Sequence, residues 1–157
     1  MGSSPPSDLC FTPATALARL YRARRASPLE VMQAVFARID AVNPLLNAYV
    51  TLDREGALAA ARKATAALIR KSAAHGPLHG IPVSIKDLTP TKGLRTTSGS
   101  KIFEHHVPDE DALYVERLKR AGAIVVGKTN TPEFGAGANT FNAVFGVTRN
   151  PWNPALT

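Results

Sequence analysis

The chain has 157 residues, 45% hydrophobic and 20% charged, with a formal net charge of +7. That length suits one domain of ordinary size, and the apolar fraction excludes wholesale disorder. No run approaches the ~20 apolar residues of a membrane helix. Residues 1–8 lack the basic-then-apolar order of a secretory signal, and the single cysteine, Cys10, has no internal disulfide partner. Together these features predict a cytoplasmic setting away from membranes.

In chain order, Thr12-Pro13 reads as the N-cap and first residue of a helix with Leu17, Leu20 and Tyr21 on one face. Ser27-Pro28-Leu29-Glu30 reads as a capping box with proline at the first helical position. Behind it Val31, Val35, Ile39 and Val42 keep a helical stripe, which Asn43-Pro44 is expected to stop. Alternation from Leu46 to Leu52 predicts a short extended piece. Asp53 then caps a third helix, rich in alanine, running to about Arg70 with Leu58, Ala61 and Leu68 inward. Ser72 to Gly80 reads as a loop.

The second half changes texture. Ile81–Asp87 is a short apolar run bounded by Gly and Pro, and predicts a buried strand. Thr89 to Ser100 is a long Thr/Ser/Gly/Pro loop of the kind that carries function. Asp109, Glu110 and Asp111 are expected to open a helix that closes on Arg117, Lys119 and Arg120, the charge order its dipole prefers. Gly122 is its natural C′ residue, and Ala123–Gly127 is a second buried strand. Strand, helix and strand imply a parallel pair. The fold class is therefore α/β, with a helical region over 1–76 and a βαβ segment over 77–157.

Two chemical signatures fail on their context. Gly122–Thr129 fits the phosphate-loop expression, but its four central residues, Ala-Ile-Val-Val, are strand rather than an amide-lined loop. Ser98-Gly99-Ser100-Lys101 fits S-x-x-K, yet Gly99 in a Gly/Ser loop does not supply the helix that motif needs. The basic balance is similarly bland. Arg19, Arg22, Arg24 and Arg25 cluster at a helix end, where the dipole favours cations, and no aromatic RNA motif or zinc-finger spacing accompanies them. Nucleic acid is not an expected partner.

The third signature is Lys86. Strand alternation puts Pro82, Ser84 and Lys86 on one face and Val83, Ile85 and Asp87 on the other. A lysine at the C-terminal end of a parallel strand sits where open α/β sheets place their active sites. Burial at such a place disfavours an ammonium and makes a lysine a usable base; the bland alternative is a lysine that reaches solvent or pairs with a carboxylate.

Gly80-Ile81-Pro82-Val83-Ser84-Ile85-Lys86-Asp87 followed by Gly93-Leu94-Arg95-Thr96-Thr97-Ser98-Gly99-Ser100 resembles the amidase signature family. So do Ala121–Asn130 with Pro132-Glu133-Phe134, Phe145-Gly146, and Asn150-Pro151-Trp152-Asn153-Pro154. The resemblance is close from about Leu78 to Thr157 and looser through the helical half. It implies a mixed sheet flanked by helices and hydrolysis of small-molecule carboxylic amides by a Ser–cis-Ser–Lys triad, with no metal or cofactor. Lys86 matches the family's catalytic lysine, and Phe134, Gly135, Ala136 and Gly137 match a segment near the acyl pocket. The family's Gly-Gly-Ser-Ser-Gly-Gly block does not occur in these 157 residues, and Ser84, Ser98 and Ser100 do not stand in the family's serine positions.

The resemblance therefore implies an N-terminal portion of an amidase, an incomplete domain from a truncated reading frame or a split protein. The chain alone is expected to be inactive, and to associate with itself or with a complementary C-terminal portion. Two rivals accompany this reading. One is a glutamine amidotransferase of the kind whose amidase-like component releases ammonia, although Thr131-Pro132-Glu133-Phe134 looks more like the stand-alone amidases. The other is a non-catalytic basic fragment that binds an acidic partner.

Overall fold

The computed structural model describes residues 9–70 and 75–157. Its helices are α1 (Ala14–Arg22), α2 (Pro28–Leu46), α3 (Arg54–Arg70) and α4 (Leu113–Arg120). Its strands are β1 (Tyr49–Leu52), β2 (Pro82–Lys86), β3 (Ile124–Thr129), β4 (Phe141–Asn142) and β5 (Gly146–Val147). The main sheet runs β1-β3-β2, with β3 parallel to β2 and antiparallel to β1. The short β4 and β5 pair separately as an antiparallel ribbon. The parallel β2–β3 pair is the one the βαβ pattern predicts.

Three clusters bury the helical stripes. Met32, Phe36 and Ile39 of α2 and Ala57 and Ala61 of α3 close on Ile124 and Val126 from one side of the sheet. On the other side Val115 of α4 closes on Ile85 and Val125. Leu17 and Tyr21 of α1 pack with Val31 and Ile81. Burying each large aliphatic or aromatic side chain contributes about 1.5–3 kcal/mol, so these contacts rather than helix propensity fix the layers. No helix among the described residues is long and apolar enough to cross a membrane.

The helix boundaries follow the capping chemistry with three exceptions. Ser27 accepts the Glu30 N–H and Glu30 accepts the Ser27 N–H in return, completing the capping box. Asp53 accepts the Gly56 N–H at the start of α3. At α1, however, Pro13 rather than Thr12 occupies the cap position, with an extended ψ of 146° and no side-chain cap. At α2, Pro44 does not end the helix. Its missing N–H would have served only the carbonyl of exposed Asp40, and α2 continues to a left-handed Asn47 at φ 52°. Asn43 supports that ending by accepting the N–H groups of Ala48 and Tyr49. At α4 the acidic trio lies before the helix, and Asp111 instead accepts the Lys92 N–H and pairs with Lys119 at 2.8 Å. Of the predicted loop over 72–80, residues 72–74 lie outside the described residues, and the rest forms turns.

Gly127 sits where β1 crosses β3. A Cβ there would lie 2.2 Å from the Thr51 carbonyl oxygen and 3.0 Å from Leu52 Cα, both backbone atoms. Gly127→Ala is thus expected to push β1 off the sheet and to cost roughly 2–3 kcal/mol. A urea midpoint indistinguishable from wild type would refute that.

Candidate active site

The site is built at the C-terminal ends of β2 and β3. Along β2, Ile85 is buried, as is Asp87 just beyond the strand, while Ser84 and Lys86 are not. The face assignment read from alternation therefore holds, but the burial expected for the Lys86 face does not. The fully buried lysine is Lys128, with 0% of its surface exposed.

The reason is a bulge in β3. Val83 pairs with Val125, but the next residue, Ser84, pairs with Gly127, so Val126 is an extra residue. Beyond it Lys128 lies beside Ile85, on the side of Val125, rather than continuing the Ile124–Val126 face. Lys128 Nζ there donates to the Thr89 carbonyl (2.5 Å), Thr91 Oγ1 (3.0 Å) and Thr96 Oγ1 (2.9 Å). All three acceptors belong to the loop that leaves β2.

Asp87 anchors the same loop from its own end. Its carboxylate accepts the Thr97 hydroxyl (2.5 Å) and the Thr97 N–H (3.2 Å), and its carbonyl accepts the Ser98 N–H (2.8 Å). Its N–H donates to the Thr129 carbonyl (2.8 Å), continuing the parallel ladder. Burial lowers the Lys128 ammonium to about 8, and the Asp87 charge opposes that shift. Burial raises the Asp87 carboxyl above its ordinary value, against the Thr97 hydrogen bonds and the Lys128 charge.

The Phe134–Gly137 segment reaches this region through the backbone. Phe134 donates its N–H to the Ser98 carbonyl (2.8 Å), and both residues are left-handed, at φ 51° and 53°. Gly135, at φ 75°, passes so near Leu88 that a Cβ would lie 2.9 Å from Leu88 Cδ2. The segment is thereby held beside the chain two residues beyond Lys86. The Phe134 ring is 51% exposed and meets Phe103 edge-on at 6.3 Å. Ala136 and Gly137 are exposed. A separate groove of about 340 Å³ between α2 and the sheet is lined by Ser84, Tyr49, Pro82 and Val42, with the Ser84 and Tyr49 hydroxyls hydrogen-bonded to each other. Among the described residues no group of three or more His, Cys, Asp or Glu could hold a metal ion.

Sequence reasoning singles out neither Lys128 nor Asp87 nor the threonines. The available signal is a lysine directly after an apolar strand run, together with a loop holding six threonines and serines. The phosphate-loop match absorbs it.

This arrangement, a mixed sheet with its loop-held lysine ends between helical layers, defines an α/β fold. The amidase family profile matches residues 30–157, and the chain belongs to that family. Its relatives include the A subunit of the glutamyl-tRNA(Gln) amidotransferase of Carboxydothermus hydrogenoformans, 45% identical over 93% of this chain and 30% of that protein. Its counterpart in Acidothermus cellulolyticus is 44% identical over 94% of this chain and 29% of its own length. Among solved structures, the peptide amidase of Stenotrophomonas maltophilia superposes with a TM-score of 0.85 at 32% identity, over 96% of this chain and 32% of that one. A 6-aminohexanoate cyclic dimer hydrolase superposes at 0.80 with 36% identity, over 94% and 29%. The chain thus spans about 30% of the length of the curated relatives it matches.

Proposed function

We propose that the chain contributes the lysine base of a Ser–cis-Ser–Lys amide hydrolase. Lys86 carries the reading: it lies in the family-like Gly80–Asp87 block, at the open end of a parallel strand, with its neighbour Asp87 fixed by five backbone and side-chain bonds. A neutral lysine takes a proton through a bridging serine, the second serine attacks the amide carbon, and amine or ammonia leaves an acyl-enzyme that water hydrolyses. Phe134–Gly137 would border the acyl group. Neither serine of the triad has a counterpart among these 157 residues, so the polypeptide alone is expected to show no amide hydrolysis. The outer edge of β2, unpaired among the described residues, and the exposed Phe134, Phe141 and Trp152 side chains support association with further protein, either the remainder of such a domain or a second copy. A soluble, cytoplasmic hydrolase acting on a small amide is the setting this reading implies.

A second reading is favoured by the names of the curated relatives: the ammonia-releasing component of a glutamine amidotransferase. Two fusions test both. The chain is continued with the remainder of either the Carboxydothermus protein or the Stenotrophomonas amidase, and ammonia release is assayed from glutamine and from simple primary amides. Activity only in the first fusion, dependent on the other amidotransferase components and ATP, supports the second reading. Activity on simple amides in the second fusion supports the first. Folded fusions without any amide hydrolysis would overturn both.

A further inference from the structure

The mechanism uses Lys86 and leaves the other lysine at the same sheet end unexplained. Lys128 is fully buried, yet its ammonium faces no carboxylate within ion-pair distance among the described residues. Instead it takes three oxygens from Thr89, Thr91 and Thr96, which bracket the loop that begins immediately after Lys86-Asp87. A buried amine is among the most costly groups to place in a core, and it is held there only because its donors find acceptors. The bulge at Val126 aims Lys128 under the loop rather than into the α2–α3 core, and bulges are used to re-aim side chains beside active sites. The Asp87–Thr97 bonds close the other end of the same loop.

We propose that Lys128 is a positioning residue for Lys86, holding the Thr89–Thr96 loop and the Asp87 junction in the one arrangement that fixes the Lys86 backbone at the mouth of the site. The proposal rests on the reading of Lys86 as the base. Lys128 acts through three links: its bonds to the threonines, the loop's closure on Asp87, and the Asp87 N–H held by Thr129 next to Lys128 in β3. The charged groups acting on it are Asp87 and Asp111, which favour its ammonium, and Lys119, which opposes it.

The test is a carbon-13 titration of the backbone carbonyls of Lys86, Asp87 and Ser98 in the 157-residue chain between about pH 6 and 10. In the wild type these signals should move in one common step near pH 8, the value burial gives Lys128. Lys128→Met should abolish the step. Thr96→Val removes one acceptor at nearly constant shape and should lower the midpoint by roughly half a pH unit, and Thr96→Ser should restore it. A lysine that merely filled space would move only the carbonyls it touches, such as Thr89, and leave those of Lys86 and Ser98 without the step. In Lys86→Ala the step at Asp87 and Ser98 should persist. Absence of the step in wild type, its survival in Lys128→Met, an unmoved midpoint in Thr96→Val, or its loss in Lys86→Ala would each overturn the proposal. If Lys128→Met does not fold, the threonine pair decides alone. Because nothing here depends on turnover, failure of Lys86 as base is read separately, in the fusions.

Discussion

Lys86→Ala in the active fusion lowers kcat by roughly 10³–10⁶-fold while leaving the urea midpoint of the chain almost unmoved. The catalytic half follows from the unit character of a nucleophile and its base: without a proton acceptor the serine is no better than an alcohol in water. The stability half follows from exposure. Lys86 lies on the open face of β2, its side chain forms no ion pair with another described residue, and surface substitutions of that kind stay within about 0.5 kcal/mol. Lys86→Arg separates charge from chemistry. A guanidinium keeps the positive charge but does not give up its proton, so this variant should be as inactive as alanine. Turnover near that of wild type in either variant would remove Lys86 from the mechanism.

Lys128→Met has the opposite profile, a large loss of stability. At pH 7 it takes the ammonium from the Thr89 carbonyl and the Thr91 and Thr96 hydroxyls, which keep only their Thr91–Thr89 and Thr96–Leu94 bonds, and losing a buried charged donor of this kind costs about 1.5–3 kcal/mol. Against a total of about 5–15 kcal/mol for a domain this is a substantial fraction. The pH dependence carries the sharper signature. Lys128 falls from its ordinary 10.5 to about 8 on folding. Between those values the unfolded chain binds a proton that the folded chain has released, so wild-type stability rises with pH across that window. At about 1.4 kcal/mol per unit the rise amounts to roughly 3 kcal/mol. Lys128→Met has no such proton and should lose the rise. Urea unfolding at about pH 7.5 and pH 10.5 reads the difference, and equal slopes in the two proteins would refute the burial of this amine.

Local signals carry most of the elements. The capping box at Ser27, the Asp53 cap and Gly122 after α4 lie where helix-end chemistry requires them, and the β2–β3 pairing follows from two apolar runs joined by a helix. What the sequence does not carry is tertiary. Pro44 reads as a stop because its chemistry is unfavourable in isolation, but whether the lost bond matters depends on Asp40 facing solvent. Asp111 reads as a helix opener until Lys92 and Lys119 take its carboxylate. At the site, Lys86 is legible from its motif and strand position. Lys128 is not, because period-two alternation assigns it to the face of Ile124 and Val126, and only the register shows the extra residue that turns it over.

That extra residue also says which kinds of genetic change this strand can absorb. Substituting one aliphatic side chain for another along Ile124–Val126 perturbs packing by an increment and leaves the frame intact. Removing the Val126 codon takes out the extra residue itself: Val125 then runs directly into Gly127, and the Ser84–Gly127 and Ile85–Lys128 pairs keep their register. Lys128 then stays beside Ile85 under the threonine loop, whereas a codon added there shifts every following side chain by one place and exchanges inside for outside. The segment therefore absorbs respelling and the loss of its one surplus residue, but not a further insertion, which would turn the indoor lysine out of doors.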